Sequence, residues 1–115
     1  MGMHELGVMS EVVRIVEDVV REQNLTQVES LVLQIGEMAS VIPYYVEQCY
    51  PAAVNGTLLE NTRLHIEILP ASGRCNDCHK MFHVAEDYYK CPFCQSFSWE
   101  LLEGREFLIK EIVAF

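Results

Sequence analysis

Cys75-Asn76-Asp77-Cys78-His79 and Cys91-Pro92-Phe93-Cys94-Gln95 are two copies of one spacing, separated by residues 79–90. A Cys-x-x-Cys turn lets two thiolates converge on one ion while N–H groups of the turn bond the sulfurs. Two such turns complete a tetrahedral sulfur cage, the arrangement zinc prefers in structural sites. The gap of twelve residues is a little below the ~15–20 of the general pattern but ample for a short hairpin. The spacing alone leaves three other occupations open. These are iron in a rubredoxin-like cage with the same ligands, a thiol-disulfide redox pair, and structural disulfides.

His79 and His83 flank the cage. Beside four cysteines they are surplus as ligands, so exposed or supporting roles are expected. A sharper expectation is that one of them exchanges with a cysteine as pH falls, because imidazole titrates near pH 6.5. The fifth cysteine, Cys49, stands apart on an apolar helical face and reads as a buried core thiol.

Outward from the cysteines the polar module spans Arg74 to about Ser98, entered through Pro70-Ala71-Ser72-Gly73, which reads as a hinge. Before it, Leu64, Ile66 and Ile68 alternate with His65 and Glu67, predicting a strand over 63–69. Leu31, Leu33 and Ile35 predict another over 28–35, ended by Gly36. Between them, Ser40 is placed to cap a helix with Pro43 in its first turn. Ile42, Tyr45, Val46, Cys49 and Tyr50 form its expected buried stripe, and Pro51 is expected to end or kink it. Asn55-Gly56 then marks a turn.

The first helix is predicted over 5–23, with Met9, Val12, Val13, Val16, Val19 and Val20 on one face. Arg14 with Asp18 and Glu17 with Arg21 sit four apart on the other. Its valines are mediocre helix formers, so packing must supply what propensity does not. Phe107 to Phe115 reads as a last strand that rejoins the first sheet. The expected fold is α+β: two helices on a small mixed three-stranded sheet, with an inserted zinc-ribbon-like module. Residues 1–70 with 105–115 would form one domain and residues 71–104 the zinc-binding module.

Composition narrows the function. The 115 residues are 50% hydrophobic, as a folded domain requires, and carry a net charge of −9 with a pI near 4.8. That sign opposes binding to nucleic acid or to an anionic membrane surface. Within the module Asp77, Glu86 and Asp87 outnumber Lys80 and Lys90, which weighs against a nucleic-acid-binding zinc ribbon, the alternative function for two CxxC knuckles. No basic leader precedes the first helix, and Glu11, Arg14, Glu17 and Asp18 interrupt its apolar run, so a cytoplasmic, reducing setting is expected. No Ser/His/Asp set, phosphate-binding glycine loop or HExxH motif is present, and no enzyme site is expected.

One segment remains. Met3-His4-Glu5-Leu6 opens the first helix, and a histidine near a free N-terminus can chelate with the amine and deprotonated backbone amides, a square-planar nitrogen field suited to Ni(II) and Cu(II). Taken in order with Leu33-Gln-Ile-Gly36-Glu37-Met38, Val41-Ile-Pro43, Gly56-Thr57, Leu64-His-Ile-Glu67, Pro70, both CxxC pairs and Gly104-Arg-Glu-Phe-Leu-Ile109, it makes the whole chain resemble the HypA/HybF family of hydrogenase nickel-incorporation proteins. The resemblance implies a nickel metallochaperone without catalysis of its own. It would hold transferable Ni2+ at Met3, His4 and Glu5, through the His4 side chain and backbone nitrogens, and a structural Zn2+ at Cys75, Cys78, Cys91 and Cys94. It also implies partners: a hydrogenase-maturation GTPase, the large subunit of [NiFe]-hydrogenase and, in some bacteria, the urease maturation proteins.

Two departures from that family stand out. The family's Met-His-Glu begins the chain, whereas Met1-Gly2 precede it here. Loss of Met1 would leave Gly2-Met3-His4, whose amine, two amides and imidazole offer four nitrogens, changing the chelate without abolishing it. A vector remnant, or translation from Met3, are the other two readings. His79 and Gln95 stand where the family pattern expects glycine, and would stiffen the knuckles without removing ligands.

Overall fold

The computed structural model describes residues 3–84 and 89–115. Met1-Gly2 and the acidic pair Glu86-Asp87 lie outside them. The chain divides into two compact units, Met1–Gln34 with Val41–Glu67 and Leu108–Phe115, and Ile35–Ser40 with Ile68–Phe107.

In the first unit, helix α1 spans Met3–Glu22. Met9, Val12, Val13, Val16 and Val20 are buried along one stripe, while Val19 is 36% exposed and lies at its margin. Full burial of such a side chain is worth about 1.5–3 kcal/mol, several times the few tenths that a valine costs a helix. That difference settles the conflict between composition and conformation. On the outer face Arg14 pairs with Asp18 at 3.0 Å and with Glu11. The expected Glu17–Arg21 pair is not formed: Arg21 takes Asp18, and the Glu17 carboxylate instead accepts the Leu58 N–H at 3.2 Å.

Strand β1 runs Val28–Gly36, with Leu31, Leu33 and Ile35 wholly buried. Helix α2, Pro43–Val54, follows and packs on α1. Ser40 does not cap it; the residue at the cap is Ile42, with no side-chain bond of its own. Glu5 reaches the same helix start, taking the Ile42 N–H on Oε2 at 3.1 Å. Nor does Pro51 end the helix, which continues to Val54. A proline removes its own N–H and crowds the carbonyl four residues back, a cost that burial on either side, here of Val46 and Val54, offsets. Of the expected stripe only Val46 is fully buried. Ile42 is 46% exposed, and Cys49 is half-buried rather than a core thiol, its S–H aimed at Val46 O and its pKa raised by lost hydration.

Strand β2 is Arg63–Leu69, and β6, Phe107–Ala114, closes the sheet in the order β2-β1-β6. Thr62 Oγ1 donates to Val28 O ahead of both strands, and Glu37 N donates to Leu69 O at their far ends. The two strands therefore run the same way, with α2 as the crossover. Gln27 and Phe115 exchange backbone bonds at 2.8 and 3.1 Å, and Gly36 N donates to Glu106 O at 2.7 Å, so β6 runs opposite to β1. The sheet is mixed, as expected.

The second unit holds a sheet that the sequence pattern did not announce. β3 (Ser72–Cys75) lies between β4 (Met81–His83) and β5 (Trp99–Glu103), antiparallel to both. The stretch expected as a hinge is thus the start of a central strand, with Ala71 wholly buried. Its small residues serve packing. A Cβ on Gly73 would meet the Trp99 ring, Phe82 and Val84 at 3.0–3.1 Å, and Phe82 and Trp99 meet edge to face at 5.6 Å.

Segment 36–39 is the most tightly threaded part of this unit. Met38 N donates to Gly104 O at 2.7 Å, and Glu37 Oε1 accepts the Ala71 N–H at 2.9 Å. A Cβ on Gly36 would stand 2.1 Å from Gly104 O, and one on Gly104 would stand 2.6 Å from Ala71 Cα. Only residues without side-chain bulk let these backbones approach so closely.

Candidate metal centre

The two CxxC turns have one geometry. Cys75 N donates to Lys80 O and His79 N to Cys75 O, both at 3.0 Å; Cys91 N donates to Ser96 O at 2.8 Å and Gln95 N to Cys91 O at 2.9 Å. Each loop is thereby closed on its first cysteine, whose sulfur then accepts N–H groups from inside the loop. Asp77 and Cys78 both donate to Cys75 Sγ, and Phe93 to Cys91 Sγ, at 3.4 Å. The loops are laced together by Asn76 Nδ2 to Ser98 Oγ at 3.1 Å, by Ser96 to Asp77, and by Lys80 Nζ 4.8 Å above the Phe93 ring.

This lacing brings Cys75, Cys78, Cys91 and Cys94 together, with all four sulfurs within 4.8 Å of one another. Cys75–Cys94 and Cys78–Cys91 approach to 3.5 and 3.6 Å. A tetrahedron of 2.3 Å Zn–S bonds has edges of about 3.8 Å, a few tenths of an ångström from these two distances, so the cage has the size zinc needs. Cys75 and Cys91 are wholly buried and Cys94 is exposed.

The electrostatics fit a cation as well. The Cys78 and Asp77 amides draw Cys75 down to about 7. Although the Ser96 amide favours its thiolate, neighbouring Cys75 and lost hydration push Cys94 up to about 12. Without an ion the sulfurs compete for one negative charge; with one, all four can ionise, releasing protons.

His79 is exposed and outside the sulfur cluster. His83 is exposed too, but its Nε2 lies 2.7 Å from Glu37 Oε1. Glu37, which the sequence marked only as part of a motif, therefore joins segment 36–39 to both Ala71 and His83. The Ala71 N–H first, then His83, hold its carboxyl below the usual range. At the other end of the chain His4 is exposed on the first turn of α1, whereas Glu5 beside it is buried.

His79 and Gln95 take φ of +64° and +67°, the left-handed region that costs a side chain roughly 1–2 kcal/mol. Glycine would take that region at no such cost. Replacing both by glycine is expected to raise stability by about 1 kcal/mol in total, after the entropy glycine loses on folding. Chemical denaturation at fixed zinc checks it, and an unchanged or lower midpoint refutes it.

Residues 3–114 match the family model described as hydrogenase/urease nickel incorporation, metallochaperone, hypA. The chain belongs to the HypA family. HypA relatives named hydrogenase maturation factor HypA include that of Geobacter sp. strain M21, 37% identical, and that of Picosynechococcus, 34% identical. Each aligns over 96% of this chain and 97% of its own length. The fold is shared with the solution structure of the Ni metallochaperone HypA from Helicobacter pylori (TM-score 0.66, 21% identity, 96% of both chains). A second HypA solution structure gives a TM-score of 0.71 at 22% identity, covering 98% of this chain and 97% of that one. As a member of the HypA family the chain is a nickel-incorporation metallochaperone of hydrogenase maturation and not an enzyme. No described helix is long and apolar enough to cross a membrane.

Proposed function

We propose that this HypA protein takes up Ni(II) through the His4 imidazole and backbone nitrogens of Met3, His4 and Glu5, while Zn(II) in the Cys75/Cys78/Cys91/Cys94 cage only maintains structure. The cargo would pass, with a hydrogenase-maturation GTPase, to the hydrogenase large subunit, and in a urease-containing cell to urease maturation proteins as well. The supporting observation is the position of His4. It is exposed on the first turn of α1, where the first four N–H groups have no acceptor inside the helix. Those nitrogens have no helical partner to lose, and a helix end opens at little cost, which suits release. Nitrogen donors select square-planar ions, but Cu(II) binds them more tightly than Ni(II). Selectivity must then come from copper scarcity and partner docking.

The test is nickel titration of His4→Ala beside the parent. The variant is expected to lose at least a hundredfold in nickel affinity while keeping one zinc per chain. Unaltered nickel uptake would remove the chemical basis of this assignment.

A further inference from the structure

Glu5 is 2% exposed, an uncommon position for a carboxylate on the opening turn of a helix. One oxygen, Oε2, accepts the Ile42 N–H at 3.1 Å. The other, Oε1, is buried with no hydrogen-bond partner. Burying an unsatisfied carboxylate oxygen is costly, so the position persists only because the rest of the contact holds it. The contact also satisfies the Ile42 N–H, one of the N–H groups at the start of α2 that have no acceptor inside the helix.

The same residue contributes a backbone nitrogen to the nickel site proposed above. Successive N–H groups in a helical turn point along the axis and nearly parallel. Three of them cannot meet at one ion in a plane while the turn stays helical. Nickel uptake through residues 3–5 therefore uncoils that turn, and uncoiling swings the Glu5 side chain off Ile42.

We infer that the Glu5 side chain is a latch between metal uptake and α2: closed on the Ile42 N–H in the metal-free chain, withdrawn when residues 3–5 take up Ni(II). This inference rests on the proposed nickel site and adds its consequence, a change at the start of α2 that a partner can sense. Coupling is reciprocal, so whatever frees Ile42 also tightens nickel binding, and whatever occupies Ile42 loosens it. Glu5 is a positioning residue here, since its carboxylate touches no metal.

The test is amide exchange at Ile42, followed by NMR in the full zinc-loaded protein, with and without nickel. In the parent, nickel is expected to speed Ile42 exchange at least tenfold. In Glu5→Ala without nickel, exchange is expected to be that fast already, with no further change on loading and nickel bound about three- to tenfold tighter. Glu5→Gln keeps an oxygen acceptor and is expected to stay within about threefold of the parent, which separates the latch from general damage to the fold. Slow Ile42 exchange in a folded Glu5→Ala overturns the latch. So does a parent whose Ile42 is indifferent to nickel while His4→Ala abolishes uptake, an outcome that leaves the nickel site standing. Uptake that survives His4→Ala overturns the nickel site and the coupling with it.

Discussion

Cys75→Ser is expected to cost the second unit its fold and its zinc, with Trp99 emission moving to longer wavelength and metal falling from one ion per chain toward none. The unit has fewer than fifty residues, a size at which a hydrophobic core rarely sustains structure without a staple. The buried cluster around the cage is Ala71, Cys75, Phe82, Val84 and Cys91, two of which are ligands. A structural zinc contributes on the order of 10 kcal/mol or more, far beyond what three remaining side chains provide. Cys75 is the most telling of the four ligands. Its sulfur accepts two amides, and its backbone pairs with Trp99 across β3 and β5. The chain has one tryptophan, held against Phe82 and donating from Nε1 to Tyr89 O at 3.0 Å, so fluorescence reports on this unit alone. Chelation of the parent is expected to give the same red shift, with amides of Val12 to Val20 in α1 still protected. A metal-free Cys75→Ser protein with native Trp99 emission would show that the cage does not hold the unit together.

Gly36→Ala is the second large effect. The added carbon would sit 2.1 Å from Gly104 O, 2.2 Å from its carbonyl carbon and 2.7 Å from Arg105 N. Every obstacle is backbone, so no side chain can turn aside. The strands must part, and the bonds from Gly36 N to Glu106 O and from Met38 N to Gly104 O stretch with them. A loss of about 3 kcal/mol or more is expected, or roughly 10–20 °C in Tm for a chain of this size. Gly7→Ala is the internal control. A Cβ there meets nothing within 4 Å inside α1, and that variant is expected to gain up to about 1 kcal/mol. Thermal melts of the two variants at equal zinc decide the matter; similar midpoints would refute the close-approach account.

The elements that carry strong periodicity were legible before any coordinates. α1, β1 and β2 lie within two residues of their expected bounds because a valine stripe or an alternation of Leu and Ile states its own period. The four-sulfur cage was legible for a different reason, since ligand spacing is itself a geometric statement. What escaped was non-local. Pro43 opens α2 as its fixed φ suggests, but the acceptor at that helix start is Glu5, thirty-seven positions away, so the local cap that Ser40 suggested is one the fold does not use. Pro51 was read by its intrinsic preference, which Val46 and Val54 override from either side. β4 and β5 are too short for a period to show, and β3 contains Gly73, which resembles a breaker until its aromatic neighbours are seen. Gly36 was visible as a strand end and Glu37 only as part of a family motif. Their reasons, a 2.1 Å clearance and a carboxylate shared by Ala71 and His83, exist only between segments distant in sequence.

The sheet order carries a consequence for synthesis. β1 pairs with β2 on one side and with β6 on the other, and β6 leaves the ribosome after each of the other strands described. Until then one edge of β1 offers its unpaired N–H and C=O groups to any passing strand, an invitation to aggregation. All four cysteines of the cage are translated during that interval. A nascent chain that is slow to emerge between β1 and β6 would therefore keep that edge open for longer, which makes the pace of translation through residues 71–104 a determinant of yield.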